Sequence, residues 1–225
     1  AIIAHIVFAY TNTLYSRYQR DRVRLGELFS TMMAIIFRGS SFVALLLLAN
    51  AHAITALLKT EWAAAAPMML WLAGYAFLRP LFDDGVGLLW AVGDTRRTAA
   101  VMGVQALFAL VAVPVAVLWG GVEGVAYCMG MVAAIGVFGV FAALRRYVDI
   151  AWRRVFAAPL MALALAALAS AVCSRVFEFS QWYDLVARSS VLLVVYGSAL
   201  WLLERQVVVA EWGQLRRALN EEEGV

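Results

Sequence analysis

Long apolar runs alternate with short polar gaps along this chain, and its basic residues fall almost entirely into every second gap. Of the eighteen Lys and Arg residues, thirteen sit in four gaps. Arg17, Arg20, Arg22 and Arg24 occupy the first; Arg96 and Arg97 the second; Arg145, Arg146, Arg153 and Arg154 the third; Arg205, Arg216 and Arg217 the fourth. The intervening gaps carry only Lys59, Arg175 and Arg188. Short loops that stay in the cytoplasm keep an excess of positive charge, because cationic segments resist translocation across an energised bilayer. The pattern therefore predicts a multi-pass membrane protein whose basic gaps and carboxyl terminus are cytoplasmic. Composition points the same way: 64% of residues are hydrophobic and 15% charged, where a soluble domain carries about 25% charge. A net charge of +3 with a pI near 9.1 does not imply nucleic acid here; the basic residues are rationed to loops that face anionic headgroups.

At about 20 apolar residues per crossing, full spans are expected at 28–51, 62–92, 98–119, 122–144, 155–174 and 185–203. The stretch 1–14 is apolar, lacks an initiator Met and a signal-peptide pattern, and reads as the tail of a seventh, partial span whose beginning lies upstream. The expected fold class is all-α, a polytopic transmembrane helix bundle. Gly93 to Arg97 on one side and Gly120-Gly121 on the other are tight breaks, and such turns make successive helices antiparallel neighbours. The organisation divides at 1–150 (the partial helix and four full spans), 151–204 (two further spans) and 205–225. In the last segment Val208, Trp212, Leu215 and Leu219 recur at helical spacing, as in an amphipathic helix lying in the cytoplasmic interface, followed by the acidic tail Glu221 to Glu223.

Charged side chains inside an apolar span cost a few kcal/mol each and should face a bundle interior or a wet cavity. Arg38 lies ten residues into the first full span; Arg79, Asp83 and Asp84 lie near the middle of the second; Glu123 sits at the outer end of the fourth. Arg79 and Asp83 are four residues apart and can pair, either as a self-satisfied brace or as part of a site. Asp84 points elsewhere on the wheel. Arg38, with no acid one turn away, is the foremost candidate for a ligand-facing cation, with a snorkelling or interhelical structural role as the alternative. Substrate binding is expected of Arg38, Arg79 and Asp84, and ion coupling of Asp83 and Asp84. The second span is thirty-one residues, about 45 Å of helix, and Pro80 with Gly85 makes it a candidate broken helix with a hinge. Pro114 is a second possible kink. No catalytic residue, metal site or cofactor is expected. His5 and His52 stand alone, Cys128 and Cys173 fall in apolar runs, and Gly85-Val86-Gly87 lacks the rest of a dinucleotide fingerprint.

Several short motifs occur in order. Leu14-Tyr15-Ser16-Arg17 leads to Asp21 and Leu25; Trp62 with Ala66-Pro67 opens the long span and Ala91-Val92-Gly93-Asp94 closes it; Gly121-Val122-Glu123-Gly124-Val125-Ala126 opens the fourth. Together they resemble the carboxyl half of the polysaccharide-transporter flippases, within the multidrug, oligosaccharidyl-lipid and polysaccharide exporter superfamily. The resemblance covers residues 1 to about 154, and the last two spans more weakly. It implies half of a two-lobe exporter-type fold around a central cavity, and transport of undecaprenyl-diphosphate-linked sugar repeats across the bacterial inner membrane. The implied partners are the lipid-linked oligosaccharide, membrane lipid, an amino-terminal lobe of the same protein and polysaccharide polymerase machinery. Arg38 and Arg79 fit a cationic cavity; Asp83 and Asp84 depart from it and favour a cation-coupled multidrug exporter of the same fold as the alternative. A membrane enzyme of polysaccharide assembly is a weaker third reading, because the longest outer gap, 175–184, is too short for a catalytic loop.

Overall fold

The computed structural model describes residues 11, 13–58, 62, 65–176 and 181–222, and among these every regular element is a helix. A short helical segment, α1 (residues 13–18), precedes α2 (Arg22–Leu58), α3 (Ala66–Ala91), α4 (Thr95–Leu144), α5 (Trp152–Val176) and α6 (Gln181–Glu222). The apolar start at 1–10, including His5, lies outside the described residues. Among the described residues four helices, α2, α4, α5 and α6, are long and apolar enough to cross a membrane. α3 falls short of that measure because Arg79, Asp83 and Asp84 interrupt its apolar run.

α4 is two helical arms that meet at Gly121, where φ is 56° and ψ −140°, far from helical values. Only glycine adopts that conformation without a steric penalty, and the chain reverses there. Gln105 donates from Nε2 to the Val132 carbonyl at 2.8 Å, Val101 packs beside Gly139, and Ala116 beside Gly124. In each pair one partner advances along the chain as the other retreats, so arms 95–120 and 122–144 are antiparallel. Pro114 lies inside the first arm without taking it out of helical geometry.

The same logic orders the other helices. α2 and α6 are antiparallel, with Arg38 opposite Glu204, Ser41 opposite Tyr196 and Asn50 opposite Ser189. α2 and α5 run parallel: the Ala151 amide donates to Ser30 Oγ, and seven residues further along α2, Phe37 meets Phe156 edge-on at 4.5 Å between ring centroids. The start of α2, both ends of α4 and the start of α5 therefore gather at one end, where Gly26 touches the Asp149 backbone and Asp94 meets Tyr147. The basic gaps around Arg22, Arg96 and Arg145 are brought to a common end of the molecule, as the charge alternation requires. Tight packing is concentrated there too, with Tyr15, Phe29, Met33, Leu88, Leu89, Val140 and Leu144 all fully buried. A smaller apolar cluster joins Ala162 and Ala166 of α5 to Leu192, Tyr196 and Ala199 of α6.

Two expectations about helix limits change. The second span, expected at 62–92 with a kink at Pro80, is a helix of 26 residues that begins at Ala66 with Pro67 in its first turn. Proline is well placed in a first turn because its missing N–H has no intrahelical partner there. Pro80 removes one interior hydrogen bond, the one the Ala76 carbonyl would have received, but α3 continues to Ala91. Residues 205–222, expected as a separate interfacial helix, continue α6 without interruption, and the acidic tail from 223 lies outside the described residues.

Gly85, expected as a hinge, is held in a tight contact: a Cβ there would stand 2.4 Å from Cγ1 of Val140, a stiff β-branched side chain. Gly85→Ala should therefore cost about 1–3 kcal/mol through overpacking. Gly74→Ala on the same helix meets nothing within 4 Å and should be neutral or stabilising by up to about 1 kcal/mol. Thermal melts of the two purified variants check the contrast; equal melting temperatures would contradict the packing.

Candidate functional site

α3 is apolar except at its charged middle, and α2 opposes that region with the small residues Gly39 and Ser40. Between them, bounded also by Thr11 and by Met102 of α4, lies a cavity of about 610 Å³. Its α3 wall carries Arg79, Pro80, Asp83 and Asp84. Ala76, whose carbonyl Pro80 deprives of a helical donor, lines it as well. The volume lies in the range of small-molecule sites, about 300–1,000 Å³.

Arg79 Nε lies 3.0 Å from Asp83 Oδ1, the i to i+4 pair expected from sequence, and both side chains are nearly half exposed. The guanidinium also reaches the Tyr75 hydroxyl at 3.5 Å and sits 5.4 Å from the Phe82 ring centroid. An exposed pair of this kind adds little to stability, about 0–1 kcal/mol, so it can exchange partners at low cost. Asp84 is different. It is 4% exposed, and both of its carboxylate oxygens lie within 3.1–3.2 Å of the Tyr15 hydroxyl, which donates to them. Tyr15 is itself fully buried against Phe29. The structure thus brings Arg79, Pro80, Asp83 and Asp84 to one cavity, with a guanidinium and two carboxyl groups on its wall. Gly85 packs behind it against α4.

Arg38 does not line this cavity. Its Nε is 2.7 Å from Glu204 Oε2 of α6, with the two side chains 13% and 5% exposed. Around the pair, the Tyr196 hydroxyl donates to the Arg38 carbonyl at 2.9 Å and lies 3.1 Å from Ser41 Oγ. Removing one partner of a buried ion pair costs about 3–5 kcal/mol, because the other charge is left desolvated. Glu204 had no visible role in the sequence: it lies one residue beyond the predicted sixth span. Glu123 is exposed beside the Gly121 turn.

At the basic end a second polar cluster ties two connections together. Asp94 caps α4 by accepting from the Arg97 amide at 3.2 Å, and its other oxygen accepts from the Tyr147 hydroxyl at 2.7 Å and from Arg97 Nη1. Arg97 Nη1 also donates to Tyr147 at 2.7 Å. The α3–α4 connection is thereby clamped to the segment after α4. Among the described residues no group of three or more His, Cys, Asp or Glu could hold a metal ion. Cys128 is a buried free thiol in the returning arm of α4. No family model and no curated protein matches this chain.

The Tyr147 hydroxyl, helped by donation from Arg97, holds the Asp94 carboxyl below its usual range. A carboxyl depressed on folding contributes stability that is complete above the unfolded value, about 3.9, and disappears as pH falls through the lower folded value. Tyr147→Phe should lower the melting temperature at neutral pH and flatten the acid limb, because a folded value raised toward the ordinary one narrows the pH window over which Asp94 loses its stabilising contribution. Melting curves from pH 7 to 3, with Asp94→Asn as the reference lacking the titration, check this. An unchanged acid limb in Tyr147→Phe would contradict the clamp.

Proposed function

We propose that this chain is a lobe of a bacterial inner-membrane transporter that moves undecaprenyl-diphosphate-linked sugar repeats, with six full crossings and a cytoplasmic carboxyl end. The observation that carries the reading is the cavity of about 610 Å³ at the charged middle of α3, where Arg79 stands on the wall in an exchangeable ion pair. A diphosphate with sugars attached cannot enter hydrocarbon unaided. Transport needs a cation that can leave its resting partner for a phosphate, a polar space for the sugars and alternate access to the two sides; no covalent step is required. Arg79 suits the first requirement, because guanidinium binds phosphate through two parallel hydrogen bonds and Asp83 holds it only at an exposed site. The order of motifs and the gathering of the basic gaps at one end support the same reading. The cavity is completed by an amino-terminal lobe of the same protein.

Arg38 enters this proposal as the brace between α2 and α6, held by Glu204, and positions the cavity residues Gly39 and Ser40 that follow it. A second reading, a cation-coupled multidrug exporter of the same fold, draws on one observation: two carboxyl groups face the cavity against a single guanidinium, and Asp84 is buried with Tyr15 as its donor.

Export of lipid-linked repeats by the full-length protein in cells separates the roles. Arg79→Ala should reach the membrane at normal abundance and lose about tenfold or more of export, the effect of one charge-assisted phosphate contact. Arg38→Ala should instead reduce the amount of folded protein. Normal export by Arg79→Ala overturns the proposal, and loss of drug resistance in Asp84→Asn with sugar export untouched establishes the exporter reading.

A further inference from the structure

A second cavity, of about 340 Å³, opens at the basic end between the first turns of α2 and the segment that joins α4 to α5. Four charged residues line it: Arg22 and Glu27 from α2, Arg145 at the end of α4, and Asp149 in the connection. All four are exposed, and none forms an ion pair within the chain among the described residues. Two guanidinium groups and two carboxylates share one small concavity without neutralising one another, although elsewhere in this chain Arg24, Arg38, Arg79 and Arg97 each take an acidic partner. The floor is packed. Gly26 lies against the Asp149 backbone, and Ser30 Oγ accepts from the Ala151 amide. On one side Tyr147, locked by Asp94 and Arg97, forms the wall.

A simple anion in this space would gain the arginines and meet the carboxylates, and a simple cation would meet the reverse. The complementary ligand carries both signs a few ångströms apart. The position supplies its source: the apolar run of α2 begins at Leu28, so Arg22 and Glu27 stand at the depth where lipid headgroups lie. We propose that this cavity binds the phosphoethanolamine headgroup of a membrane phospholipid, with the phosphate on Arg22 and Arg145 and the ammonium on Glu27 and Asp149. A primary ammonium donates hydrogen bonds to carboxylates, whereas the quaternary ammonium of a choline headgroup has no N–H to donate, so the site discriminates between two zwitterions of equal charge. The inference rests on the membrane reading of the helices and is independent of what the larger cavity transports. A bound lipid here touches α2, the end of α4 and the connection to α5 at once, which makes it a tie across the three elements that form the basic end.

The purified full chain in detergent is titrated with phosphatidylethanolamine, phosphatidylcholine and phosphatidylglycerol of matched acyl chains, and retained lipid is measured by native mass spectrometry. Phosphatidylethanolamine should be retained about tenfold more than either other lipid, the effect of one pair of charge-assisted hydrogen bonds. The double variant Glu27→Gln with Asp149→Asn should lose that preference while still retaining phosphatidylglycerol. Arg22→Ala with Arg145→Ala should weaken both. Glycerophosphoethanolamine, added as a soluble competitor, tells the source: failure to displace the lipid assigns the site to phospholipid, and displacement at equimolar concentration overturns that assignment. Equal retention of the three lipids by the parent chain, or an undiminished ethanolamine preference in the acid double variant at unchanged helicity by circular dichroism, overturns the proposal.

Discussion

A charge inside an apolar helix must find an opposite charge, a hydrogen-bond donor or water, and the way this chain meets that demand organises everything else. Three solutions occur. Arg38 and Glu204 meet across the α2–α6 interface with little exposure. Asp84 is buried under the Tyr15 hydroxyl. Arg79 and Asp83 pair along α3 at an exposed wall. The first fixes the register of two antiparallel helices, since slipping either by a turn would strand a buried charge at several kcal/mol. The second ties α1 to α3. Only the third leaves both of its groups nearly half exposed, on the wall of the larger cavity that Asp84 also lines.

That division is the one the proposed transport of a charged substrate requires. Structural charges are sequestered where the helices pack, and the exchangeable pair is presented where a ligand could enter. Pro80 reinforces the arrangement without breaking α3, because the carbonyl it releases belongs to Ala76, another cavity residue. At the basic end the same economy appears with different partners: Asp94, Arg97 and Tyr147 close on one another, while the four charges of the smaller cavity stay open.

Much of the helical framework was legible because apolar runs and glycine breaks act locally. The runs at 28–51 and 155–174 fall inside α2 and α5, and Gly120-Gly121 marked the reversal in α4. The Arg79–Asp83 pair was legible for the same reason, being one turn of one helix. Contacts between helices were not. Glu204 lies 166 residues from Arg38, Tyr15 lies 69 from Asp84 and Tyr147 lies 53 from Asp94, and a helical wheel drawn for one segment holds no information about another. α3 runs through Pro80 because a proline removes a single interior hydrogen bond, and the flanking turns, packed by Leu81, Phe82 and Val86, outweigh that loss. The continuity of α6 was hidden by its change from apolar to amphipathic composition, which alters a helix's surroundings without ending it.

Ser40 and Ser41 offer the most direct test, being adjacent residues on opposite sides of the proposed division. Ser40 lines the larger cavity, whereas Ser41 is 2% exposed beside Tyr196 in the Arg38–Glu204 brace. Each is replaced by cysteine in the full-length protein, with Cys128 and Cys173 changed to alanine, and the rate of modification by a small charged methanethiosulfonate is measured in membranes. A water-filled cavity beside a closed interhelical brace predicts rapid modification of Ser40→Cys and protection of Ser41→Cys. Equal rates at the two positions, or faster reaction at the second, would contradict it.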